Sequence, residues 1–97
     1  MLSLAATAEA RAQLRALKLS NPTLFQMVSD RITSLRIDPG GRNSGRTFLL
    51  PTGRMARLAT FYDAQSGDDL SLVWLIEGEG EDTVVKIVWA AVFEGKD

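Results

Sequence analysis

The apolar residues Leu24, Phe25, Val28, Ile32 and Leu35 fall one, three, four and three positions apart, which is the spacing of one stripe on an amphipathic helix. Asn21-Pro22 precedes the stripe. Asparagine caps a helix start, and proline fits the first helical position, where no N–H is required. Asp38-Pro39-Gly40-Gly41 ends it, because the residue before a proline is pushed out of the helical region. An earlier helix is predicted over 7–20, with Thr7 as its cap and Glu9 in its first turn. Ala8, Ala10 and Ala12 favour the helical state, and Leu14 and Leu17 share a face. Two helices this close in sequence form a hairpin.

After Gly45 the period falls to two. Residues 47–50 read as a short strand closed by the turn Pro51-Thr52-Gly53. Over 54–62, Met55, Arg57, Ala59 and Phe61 face one way, while Arg54, Ala56, Leu58, Thr60 and Tyr62 face the other. Residues 63–69 are a polar turn, and the nearly continuous apolar run 70–77 predicts a central strand covered on both faces. GEGED over 78–82 is an acidic turn of the kind that blunts aggregation. Residues 83–92 form a β-branched strand, residues 1–4 a short first strand, and FEGKD over 93–97 a loose tail. The order implies one α+β domain over 1–97. Its N-terminal helical hairpin packs on one face of a twisted, mainly antiparallel sheet of three to five strands.

Composition narrows the chemistry. The 97 residues include no cysteine and no histidine, which excludes disulfides, a thiol nucleophile, an imidazole base and the commonest zinc ligands. Acid–base chemistry is left to carboxylates, lysine, arginine and Tyr62. No apolar run approaches the ~20 residues of a membrane span, and the N-terminus lacks the basic segment of a signal peptide; a cytoplasmic protein with no membrane partner is expected. The net charge of −1 conceals a division, with +6 over residues 1–62 and −7 over residues 63–97.

The basic residues are the candidates for function. Arg46, Arg54 and Arg57 lie within twelve positions, and arginine grips phosphate through paired hydrogen bonds. Arg54 and Arg57, three apart, point to opposite faces of a regular strand. Arg42 and Arg46 flank the loop RNSGR; a solvated loop is the plainer reading, and nucleic-acid backbone contact, which flexible loop arginines often supply, is the alternative. Lys86 is a cation within an apolar strand. Trp74 and Trp89 are expected in the core and Tyr62 at the rim.

With these residues the chain resembles the RelE/ParE superfamily of type II toxins over nearly its whole length. AEARAQLRAL is similar to the family's first helix, MVSDRITSLRIDP to its second, GRMARLATFY to the basic strand that follows, and LSLVWLIEG and TVVKIVWAAVF to the last two strands. The resemblance implies a toxin neutralised by a cognate antitoxin, with operator DNA reached only through the antitoxin. It implies one of two activities: ribosome-dependent mRNA cleavage, as in RelE-like members, or non-enzymatic inhibition of DNA gyrase, as in ParE-like members. On the cleavage reading, Arg54, Arg57 and Lys86 are the catalytic residues, and Arg42 and Arg46 bind RNA phosphate. Leu14, Leu17, Phe25 and Val28 supply the antitoxin-binding groove, and neither metal nor cofactor is implied. The sequence departs from the family at two points. Leu72 and Trp74 stand where an arginine is usual, and Trp89 and Phe93 stand nearest the place of a C-terminal tyrosine. Those departures bring in a third alternative, a family member that acts by protein binding alone.

Overall fold

The computed structural model describes residues 2–37 and 46–93. The helix stop at Asp38-Pro39, the loop arginine Arg42 and the tail from Glu94 lie outside them.

Strand β1 (Ser3–Ala6) leads into helices α1 (Ala8–Ser20) and α2 (Pro22–Ile37). Both helix starts follow from side chains. The Thr7 hydroxyl accepts from the Ala10 N–H at 3.1 Å, and Asn21 Oδ1 accepts from the Leu24 N–H at 3.1 Å, so each satisfies a donor that the first helical turn leaves over. Strands β2 (Arg46–Leu49), β3 (Met55–Asp63), β4 (Asp68–Glu77) and β5 (Val84–Phe93) then form an antiparallel meander, with a 3₁₀ turn at Gly80–Asp82 before β5.

The sheet order is β1-β5-β4-β3-β2, and β1 joins parallel to β5, with Ser3 opposite Val84 and Ala6 opposite Ile87. The first strand therefore lies two residues later than the apolar pair Met1-Leu2 suggests. Its position is fixed from outside: the Leu2 N–H donates to the Arg36 carbonyl, Arg36 Nε donates to the Leu2 carbonyl, and the Thr7 N–H donates to the Ile87 carbonyl. The strand over 70–77 begins two residues earlier than its apolar run, because Asp69 and Asp68 continue the ladder against Tyr62 and Asp63.

Two apolar clusters lie on the two faces of the sheet. On the helix side, Leu17, Leu24, Val28 and Leu35 pack on Leu72, Trp74 and Ile87. On the other side is a smaller cluster of Ala56, Val73 and Leu75, joined by Leu50, Leu58 and Val88. This covers β4 on both faces, as its composition predicts. β5 carries a bulge: Trp74 pairs with Ile87, but Val73 pairs with Trp89. Unbroken alternation would align Trp89 with Val85 and Ile87 in the core. The extra residue turns it to Val73's face instead, where it is 38% exposed, and Ala90 takes the core position. The expectation of a core Trp89 is thus corrected, while Trp74 is fully buried.

Candidate functional site

The arginine-bearing strand β3 alternates as its sequence predicts. Ala56 and Leu58 join the cluster on the open face of the sheet, whereas Ala59 and Phe61 join the helix-side core. Arg57, opposite Thr47 and Trp74, therefore lies on the helix-side face. It lines a recess of about 180 Å³ with Thr47, Met55, Ala56 and Ile76.

Arg54 belongs to the other face. It donates from Nη1 to Glu77 Oε2 at 2.5 Å, and Lys86 Nζ lies 3.9 Å from Glu77 Oε1. Glu77 is held below the usual glutamate range, chiefly by the Arg54 hydrogen bond and further by the two positive charges. The basic first half and the acidic second half of the chain thus meet within one molecule. The catalytic candidates do not converge: Arg54 and Lys86 share a carboxylate on one face, and Arg57 occupies the other.

Arg46 is exposed at the start of β2. It lines a cavity of about 290 Å³ beside β3 with Leu58, Ala59, Thr60 and, from α2, Arg31. Sequence reasoning passed over Arg31, since it falls between Asp30 and Ile32 in an amphipathic helix and nothing local distinguishes it.

The residues expected to bind an antitoxin separate into two pairs. Leu17 and Val28 are 1% and 0% exposed, covered by the protein's own core. Leu14 and Phe25 are half-buried and line a groove of about 220 Å³ with Leu4, Ile32 and Arg36. The Lys18 ammonium lies 5.8 Å from the Phe25 ring centre at the groove's edge.

A buried polar cluster binds the hairpin to the sheet. Asn21 Nδ2 lies 3.0 Å from Asp63 Oδ2, 3.1 Å from Ser66 Oγ and 3.2 Å from Asp68 Oδ2. Asp63 also accepts from the Ser66 hydroxyl at 2.8 Å and the Gln65 N–H at 3.2 Å. The Ser66 and then the Asn21 hydrogen bonds hold its carboxyl below the usual range. Every group here is matched by a neighbour, which marks the cluster as structural.

A solved structure of a YoeB/ParE toxin from Agrobacterium tumefaciens is similar to this chain, with a TM-score of 0.71 and 12% identity, over 95% of this chain and 99% of that one. No protein-family model matches the sequence, and no curated protein sequence matches it significantly. The chain shares with that toxin a fold of two helices on a five-stranded mixed sheet. None of the described helices is long and apolar enough to cross a membrane.

Proposed function

We propose that this chain is the toxin of a toxin–antitoxin pair, neutralised by a cognate antitoxin, and that it cleaves mRNA on the ribosome. The observation that carries the proposal is the Arg57 recess. Arg57 lines a recess on the helix-side face of β3 together with Thr47, Met55, Ala56 and Ile76. That setting suits a phosphodiester, whose charge grows as its 2′-hydroxyl attacks. Arg57 holds the scissile phosphate in this reading. An arginine, with a pKa above ~12, does not serve as the base, so a proton acceptor must come from outside the recess. The antitoxin takes the groove lined by Leu14 and Phe25.

The test is primer extension on programmed ribosomes. Arg57→Ala should abolish cleavage, while Arg54→Ala, which removes an internal ion pair on the other face, should reduce it less than tenfold. Equal loss in both variants would break the link to the recess.

A second reading is favoured by the separation of Arg54 and Lys86 from Arg57. A protein that holds its target without reacting needs no converging acid and base, as in a ParE-like inhibitor of DNA gyrase or a binding-only relative. It predicts no cleavage by the folded wild-type chain. A gyrase inhibitor would in addition block supercoiling, and a binding-only relative would not.

A further inference from the structure

We infer that Arg31 and Arg46 form a second anion site, one that takes a phosphate group at the outer edge of β3. The cavity of about 290 Å³ beside them is bounded by the two arginines and by Leu58, Ala59 and Thr60, with no acidic residue among the described residues of its lining. β2 ends its pairing at Arg46 opposite Leu58, so among the described residues β3 has no partner strand on this side from Ala59 onward.

The decisive atom is Arg31 Nε. It is shut off from solvent and has no hydrogen-bond partner among the described residues. Other arginines in this molecule are provided for: Arg36 Nε donates to the Leu2 carbonyl and Arg54 to Glu77. The neighbouring carboxylate of Asp30 is engaged by the Gln26 amide at 2.8 Å. Neither Arg31 nor Arg46 makes a salt bridge among the described residues. A buried guanidinium N–H without an acceptor is unfavourable, and two uncompensated positive charges bordering one cavity add to that. A phosphate group would supply the missing acceptor, its oxygens matching the guanidinium fork; as a free dianion it would offset both charges, and as a phosphodiester one of them.

The source of the phosphate separates into a free anion and a nucleic-acid backbone. The nucleic-acid source rests on the cleavage reading above, whereas the site itself does not. The Nε–H signals of ¹⁵N-labelled full-length protein resolve them, first with inorganic phosphate and then with a short single-stranded RNA and DNA of one sequence. The Arg31 Nε signal should shift with inorganic phosphate. Arg46→Ala should weaken that binding about tenfold, as the loss of one charge-assisted contact implies. Arg31→Lys, which keeps the charge and loses the fork, should weaken it as well.

If the site takes a backbone phosphate, each arginine lost should also flatten the dependence of oligonucleotide affinity on salt by about one unit of log–log slope. A shift with inorganic phosphate alone assigns a free anion and upholds the site. Oligonucleotide binding through Arg31 by a protein that does not cleave mRNA upholds the site and removes the cleavage reading. An Arg31 signal unmoved by phosphate and by both oligonucleotides, in a chain that melts normally, overturns the inference. So does a signal moved only by an acidic peptide.

Discussion

Asn21 illustrates how much one side chain settles. Its Oδ1 caps α2 while its Nδ2 reaches Asp63, Ser66 and Asp68, so the helical hairpin is fastened to the β3–β4 turn. Asn21→Ala should destabilise the fold, with loss of the cap alone costing about 1 kcal/mol in a urea titration. Asp63 and Glu77 are both easier to deprotonate in the folded chain than in the unfolded one. Their stabilisation is complete above the ordinary values of 3.8 and 4.5, and it is lost as pH falls through the lower folded-state values. Stability should therefore be level near neutrality and fall in acid. Asp63→Asn should be less stable at neutral pH and show a shallower acid limb; an unchanged acid limb would contradict the role given to Asp63. At this scale the sequence was only half legible. The capping role of Asn21 was open to inspection, because it depends on neighbours a few positions away. Its partners lie more than forty positions on, and no local pattern announces them.

The elements themselves were legible where their causes are local. Thr7 and Asn21 start the helices, and alternation over 54–62 assigns both faces of β3. The bulge in β5 was not legible, since it arises from pairing with β4 and leaves no mark in a run of β-branched residues. Its effect on Trp89 is correspondingly the largest departure from expectation. The turn before β5 offers a direct test. Gly78 has φ +84, and a Cβ there would lie 2.4 Å from the Asp82 carbonyl oxygen, whereas Gly53 has φ +87 with nothing within 4 Å. Gly53→Ala should cost ~1–2 kcal/mol from backbone strain alone. Gly78→Ala should cost clearly more, and equal urea midpoints would remove the contact as the cause. A second test concerns the outer edge of β5 past Ile87, where β1 has stopped. The Ala90 N–H there is satisfied by Gln13 Oε1 at 2.7 Å. Gln13→Ala should speed hydrogen exchange at Ala90 while leaving the paired amides of β3 and β4 slow.

At the scale of the molecule, the division of charge along the chain does not become two separate surfaces, because Arg54 and Lys86 converge on Glu77. The arginine cluster that stands out in the sequence is dispersed in space: Arg57 to the helix side, Arg54 to the open side, and Arg46 to the edge beside Arg31. Candidate chemistry was therefore visible as residue types but not as a site, because convergence is a property of pairing and packing rather than of spacing. The sheet order has one more consequence, which concerns time. β5 follows every other strand in the sequence, yet it lies between β1 and β4. While the polypeptide is being synthesised, β1 has no strand to join, and β4 lacks one neighbour, until residues 84–93 have emerged. A nascent chain halted before Val84 would leave Trp74 and the helix stripe without Val85, Ile87 and Ala90. Closure of the sheet and of the helix-side core therefore waits on residues 84–93.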